Sequence, residues 1–304
     1  MKEFWSRLGN ALTAIRIWTV NLLTLGFLIY LVVLVVAVSR QAPPEVDPDG
    51  RVLIIAPQGV LVDQEVVAEK INFPPNFDEE AQIQYRDLVR LIRAAVEDER
   101  LAAVTIDFSK TRFGGITTAL GLADELAKLR GSGKPLIAYS DAMGTAAYLL
   151  ASQADEVYVH PAGALAVSGL GGYNPYFNEF AGKLKINIHN YSQGDYKSAA
   201  ELVTRDNMSD ADRRQREELY FPLWTATKAR IAEARGVEAE VVQTLADDFP
   251  AFVLGEASFA NVEAAVEMGL LDGTRTFPEY RAYLMERFGT DEEAERETYP
   301  HILA

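Results

Sequence analysis

The sequence has no cysteine among its 304 residues. Thiol nucleophiles, disulfide staples and thiolate metal sites are therefore excluded. The absence suits either side of a membrane and leaves the compartment open. Histidine is scarce: His160, His189 and His301 lie far apart and form no HxxxH pair. That spacing gives no basis for a histidine metal site, and a Ser-His-Asp triad would have to recruit one of three isolated residues. Basic residues are in deficit, with 29 Lys and Arg against 44 Asp and Glu and a net charge of -15. Such a surface repels phosphate backbones, so no nucleic-acid partner is expected. The remainder is of globular composition, long enough for one large domain or two small ones.

One stretch lacks charge altogether. VNLLTLGFLIYLVVLVVAV, from Val20 to Val38, runs 19 residues. That length crosses a hydrocarbon core of about 30 Å. Lys2, Arg7 and Arg16 precede it, and Glu45, Asp47 and Asp49 follow it, with Arg40 at the exit. Positive charge stays on the cytoplasmic side, so the N-terminus is expected inside and the body outside. Trp18 sits where an interfacial ring is expected. A cleaved signal peptide is the competing reading. The length of the segment and the poor cleavage site SRQAPP favour an anchor. A bacterial inner membrane with the body in the periplasm, or outside the cell, is the simplest placement. QAPPEVDPDG (41–50) then reads as a linker.

The body alternates. RVLIIAPQGVLV (51–62) reads as a strand with a glycine turn, followed by a loop containing Pro74 and Pro75. Leu88, Leu91, Ile92 and Val96 have helical spacing. LAAVTIDF (101–108) is a buried strand, ITTALGLADELAKLR (116–130) a helix, and Pro135–Ser140 a third strand. GTAAYLLASQA is a short helix and DEVYVH a fourth strand. This order predicts parallel strands with helical crossovers, and the apolar strands predict a sheet covered on both faces. Beyond Pro161 the chain reads as glycine-rich and irregular, then as helices over FNEFAGKLK, Ser209 to about Ala234, and VEAEVVQTLADD. AFVLGEASFANVEAAVEMGLLDG reads as a short strand, a helix and a turn at Leu271-Asp272-Gly273. Tyr299–Ala304 reads as the opening of a strand whose partner is missing.

Two glycine sites stand out. Gly114-Gly115 in FGGITTAL lies between a strand and a helix. Adjacent glycines there let backbone N–H groups approach an oxyanion; the plainer reading is a tight turn. GLGG (169–172) allows the same two readings. Neither makes a dinucleotide fingerprint, because the spacing and the strand–helix context do not coincide. The stretch GDYKSAAE places Lys197 behind the turn pair Gly194-Asp195, after the apolar run KINIHNYS, which reads as a strand. Lys197 is either a solvated helix residue or, if kept dry and neutral, a general base.

KINIHNYSQGDYKSAAELVTRDNMSDADRRQ resembles the lysine motif of the SppA-type signal peptide peptidases. TIDFSKTRFGG and YSDAMGTAAYLLASQADEVYVHPAGALAVSG resemble the same family, in order and at similar spacing. The resemblance covers most of 51–290. It implies an α/β fold of the crotonase/ClpP type, built of repeated ββα units behind an N-terminal transmembrane helix. It also implies serine proteolysis by a Ser-Lys dyad acting on cleaved signal peptides, with no metal or organic cofactor. The match is to the N-terminal half of the long, two-repeat form, in which the other half supplies the nucleophilic serine. Lys197 would be the general base, Ser198 a candidate to orient it, and Gly114 and Gly115 the oxyanion glycines.

The family's catalytic repeat has A-S-G-G-Y where this chain has GTAAY. Thr145 stands near the serine's place and is read as a helix residue, so the nucleophilic serine is not identified in this chain. The domain reading is anchor (1–40), linker (41–50), peptidase repeat (51–290) and a connection toward a missing second repeat (291–304). Expected partners are peptide substrates, a repeat or subunit carrying the serine, the membrane, and further copies of the chain in a ring. The rival readings are a non-catalytic membrane-tethered scaffold and a crotonase-like acyl-CoA enzyme. An outward-facing body argues against the second, because coenzyme A thioesters are intracellular.

Overall fold

The structure is a computed structural model that describes residues 2–39, 47–65, 81–254, 260–292, 294 and 296–304. The loop with Pro74 and Pro75 and most of the linker lie outside these residues. Two compact units divide between Asp47 and Pro48.

The first unit is one helix, α1 (Lys2–Ser39). Its Leu12–Val36 portion is long and apolar enough to cross a membrane. The polar threonines in it are satisfied within the helix. Thr19 and Thr24 each donate to the carbonyl four residues back, on Ile15 and Val20, at 2.8 Å. In hydrocarbon, where no water offers a partner, such self-satisfaction removes the cost of a bare hydroxyl.

The second unit is built from ββα steps. β1 (Val52–Ile55) and β2 (Gly59–Val62) lead through β3 (Gln82–Gln84) into α2 (Tyr85–Glu97). β4 (Ala103–Ile106) and β5 (Thr111–Phe113) lead into α3 (Ile116–Gly131). β6 (Leu136–Gly144), α4 (Thr145–Ala151) and β7 (Glu156–Ala166) follow. The chain then runs through α5 (Asn178–Lys183), a 3-10 turn (Ser198–Ala200) and α6 (Glu201–Thr204). α7 (Asp210–Arg235), α8 (Ala239–Leu254), α9 (Ala260–Glu267), β8 (Gly273–Thr274), α10 (Phe277–Phe288) and β9 (His301–Leu303) complete it. The first strand of each step enters a parallel six-stranded sheet ordered β8-β7-β6-β4-β1-β9, and the second enters a parallel three-stranded sheet ordered β3-β2-β5. The α/β class and the repeated ββα order agree with the sequence reading.

Alternation along the strands divides two cores. Leu53, Val104, Leu136 and Ala138 pack with Ile92 of α2, Leu122 and Leu126 of α3 and Leu149 of α4. Val52, Ala103, Ile137 and Tyr139 face the other way, against Tyr280 and Leu284 of α10 and Tyr299. Each fully buried leucine contributes about 1.5–3 kcal/mol of transfer energy. On the α10 side Tyr139 stacks on Tyr280 with ring centroids 4.4 Å apart. Glu156 accepts from Tyr158 at 2.8 Å and from Tyr283 at 2.6 Å, and pairs with Arg287. Burial pushes the Glu156 carboxyl up, but these donors outweigh it and hold the group below its ordinary value.

The structure corrects four expectations. The run 51–62 is two strands in different sheets, divided at Gly59, whose φ of 132° only glycine adopts easily. The fourth strand continues past Pro161 to Ala166. A bulge takes up the proline: pairing with β6 steps from Ser140–Val159 to Ala142–Ala164. Gly163 is required there, because a Cβ would stand 2.0 Å from the Asp141 carbonyl oxygen. Ala251–Leu254, read as a strand, is the end of α8; four apolar residues suit either element. The last strand has its partner inside the chain, since β9 pairs in parallel with β1.

Candidate functional site

Between β7 and α7 the chain leaves the sheet, and this excursion carries Lys197. KINIHNYS forms no strand: Ile186 and Ile188 are 53% and 39% exposed, and Lys185 takes a φ of 58°. Among the described residues no strand pairs with it, so the apolar pattern lacks the ladder that would make it a strand. Tyr173, Phe180, Tyr191 and Tyr196 are exposed on the same excursion.

Gly194, at φ 106°, makes the turn, and the Lys197 N–H donates to its carbonyl at 3.3 Å. Lys197 is the cap residue of the 3-10 turn Ser198–Ala200, and α6 follows directly. Its side chain is exposed and, among the described residues, makes no hydrogen bond or ion pair. Ser198 is half-buried.

The residues after the lysine fasten this turn to the body. Glu201 accepts from the Ser209 N–H at 3.0 Å and from its hydroxyl at 2.5 Å. Ser209 caps α7 by accepting from the Asp212 N–H at 3.1 Å. Asp206 accepts from the Glu179 N–H at 3.1 Å, at the start of α5. The Phe177 N–H donates to the Leu202 carbonyl at 2.7 Å. The RDNMS stretch thus has a physical role: its acid and its serine tie α5, α6 and α7 together around Lys197.

Gly114 and Gly115 lie at the turn from β5 into α3. Gly115 has an extended φ of -174°, open to any residue. A Cβ at Gly114 would stand 3.7 Å from the Leu61 carbonyl oxygen, and one at Gly115 3.6 Å from Thr117 Oγ1, both ordinary contacts. Neither backbone strain nor crowding within the chain requires glycine at this turn. Thr145 opens α4 after Gly144, and its hydroxyl accepts from the Ser168 N–H at 3.1 Å. It is a helix residue as read, at the carboxyl end of β6. Among the described residues no hydrogen bond or ion pair joins Lys197, the Gly114–Gly115 turn and Thr145.

A cleft missed in the sequence begins two residues past Ser168, the residue whose N–H meets Thr145. The loop that begins at Ser168 passes Gly169, where a Cβ would stand 3.9 Å from Trp224, and continues into a cavity of about 250 Å³. Leu170, Gly171, Gly172, Met208, Phe221 and Trp224 line it, with Arg213 and Glu217 also on its wall. The Trp224 indole N–H donates to Gln243 Oε1 of α8 at 2.8 Å and is thereby fixed. The signal was present in α7, where residues 213, 217, 220 and 224 share a face at helical spacing.

The family model for peptidase family S49 matches residues 128–288. Among curated proteins the chain is similar to Protease 4 of Haemophilus influenzae, 25% identical over 237 residues, covering 76% of this chain and 38% of that protein. It is likewise 25% identical over 245 residues to Protease 4 of Salmonella typhi, covering 78% of this chain and 39% of that protein. The chain thus spans about two-fifths of the length of these relatives. Among solved structures, an enoyl-CoA hydratase/isomerase family protein from Silicibacter pomeroyi aligns at 16% identity and a TM-score of 0.25, covering 56% of this chain and 88% of that one. That score carries no argument about activity. The family match spans the β6–α4 junction, the lysine turn and all of α7, and on that ground the chain belongs to peptidase family S49.

Proposed function

We propose that this chain is the lysine-bearing part of a membrane-anchored serine endopeptidase that degrades cleaved signal peptides. One observation carries the reading. In a chain of a peptidase family, Lys197 is held by a built turn on an excursion whose apolar side chains are exposed among the described residues. A second repeat or subunit packing over Tyr173, Phe180, Ile186 and Tyr191 would bury that surface and bring the serine to Lys197. The same burial would remove water from the ε-amine, the condition under which a lysine gives up its proton.

The chemistry then follows. Neutral Lys197 Nζ takes the serine hydroxyl proton, and the alkoxide attacks the peptide carbonyl. Backbone N–H groups at Gly114 and Gly115 hold the oxyanion, a contribution of about 2.7–4 kcal/mol per donor in comparable sites. Lys197 passes the proton to the leaving amine, and water completes the hydrolysis by the reverse transfers. Ser198 orients the amine. The unforced glycines at this turn support the oxyanion role, since close approach of a substrate oxygen explains what the fold leaves unexplained. α1 would anchor the enzyme in the inner membrane with the body in the periplasm.

The test is Lys197→Ala and Lys197→Arg in the full-length, membrane-assembled protein. Both variants should assemble as the parent does and lose peptide cleavage, because arginine cannot release its proton. Cleavage at the parent rate by either variant sinks the reading.

A further inference from the structure

We propose that the cleft beside the Ser168–Gly172 loop binds the C-terminal residue of a peptide. The residue's apolar side chain sits against Phe221 and Trp224, and its free α-carboxylate meets Arg213. This deepens the peptidase reading and rests on it.

A space of about 250 Å³ holds one large side chain and is smaller than a drug-sized pocket. Leu170, Met208, Phe221 and Trp224 make it apolar. Phe221 is 63% exposed, so the cleft is open and not already filled from within.

Arg216 is tied to the buried carboxylate of Asp212 at 3.0 Å. Arg213, on the same wall, is exposed and has no ion pair or side-chain hydrogen bond among the described residues. Glu217 lies one turn further on and forms no ion pair with it. The chain carries 44 acids against 29 bases. A guanidinium that makes no ion pair among the described residues, at an apolar cleft, is the complement of an anionic group on the ligand. Its planar fork suits a carboxylate.

A Cβ at Gly171 or Gly172 would meet nothing within 4 Å. A peptide backbone can therefore approach this loop closely. The loop leads back through Ser168 to Thr145 at the carboxyl end of β6. The loop that lines the cleft is thus tied at its start to the β6–α4 junction. An uncut protein segment has no carboxylate at that position, so the cleft selects chains that have already been cleaved.

The experiment uses the full-length Lys197→Ala protein, so that binding is read without turnover. The probe is an N-terminally labelled hexapeptide ending in leucine, as the free acid and as the carboxamide, followed by anisotropy. The acid should bind at least ~10-fold tighter than the amide, equivalent to about 1.4 kcal/mol. Arg213→Gln, an exposed substitution, should remove that preference, and Phe221→Ala should weaken both forms alike. Equal binding of acid and amide, or a preference surviving Arg213→Gln, overturns the proposal. So does displacement by decanoate as effective as by unlabelled peptide acid, since the cleft would then read any amphiphilic anion. Loss of the preference leaves the dyad mechanism standing. A preserved preference in a protein whose parent cleaves nothing would sink the mechanism and keep the cleft.

Discussion

Tyr148→Phe isolates a single bond that holds the helix beginning at Thr145. The Tyr148 ring is fully buried, and its hydroxyl donates to the Leu270 carbonyl at 2.6 Å, just beyond α9. Burial raises the phenol above its ordinary value, so it keeps its proton and donates at every working pH. Phenylalanine fills the same space without the donor and leaves a buried carbonyl bare. That loss costs about 1–3 kcal/mol. For a body of this length, about 2 kcal/mol lowers Tm by roughly 4–8 °C. Urea unfolding should show a lower midpoint with an unchanged slope, because the surface exposed on unfolding is the same. Tyr139→Phe is the control. Its hydroxyl lies 3.4 Å from Asp141, a weak bond, and the Phe ring keeps the stack on Tyr280. It should stay within about 0.5 kcal/mol of the parent. If Tyr148→Phe is no more destabilising than Tyr139→Phe, the Leu270 bond does not hold α4 as described.

Other outcomes follow from the same structure. Glu125 accepts from Arg93 and Lys128 at 2.8 Å each, and these bonds pull its carboxyl from 4.5 to about 2. The stability they contribute is present above pH 4.5 and is lost as pH falls toward 2. The cations are 62% and 63% exposed, so solvent screening leaves about 1 kcal/mol, read as the difference between parent and Glu125→Gln unfolding at pH 7 that disappears in acid. Gly163→Ala drives a Cβ into the Asp141 carbonyl and should cost about 3 kcal/mol by chemical denaturation. Gly114→Ala should fold within about 0.5 kcal/mol of the parent yet reduce peptide turnover 10-fold or more, by crowding the oxyanion position. Turnover unchanged in that variant removes Gly114 from the site.

The ladder of elements was largely legible because its signals are local. Apolar strands such as AVTI and the 3.6-residue spacing of Leu122, Leu126 and Leu129 allow little else. The short strands β3 and β5 were not legible as such, since QIQ and TRF carry no pattern of their own and exist through pairing with β2. Pro161 misled for a physical reason: a bulge, decided by β6, accommodates it. KINIHNYS misled in the opposite direction, having strand composition with no neighbour to pair with. In the candidate site, the turns that carry Lys197 and the glycine pair were legible. The α7 cleft was not, because its two walls are about 50 residues apart in sequence, from Leu170 to Phe221, and approach each other where Gly169 meets Trp224.

The central claim is that Lys197 is the base, and the absence of cysteine allows a direct measurement. Lys197→Cys places a single thiol in the chain, and aminoethylation converts it to a lysine analogue with a less basic amine. In the assembled enzyme the unmodified cysteine variant should be inactive, and aminoethylation should restore cleavage. The acidic limb of the kcat/KM profile should move to lower pH, since that limb reports the base in the free enzyme. Restored cleavage with an unmoved acidic limb, or full activity before aminoethylation, would contradict the account.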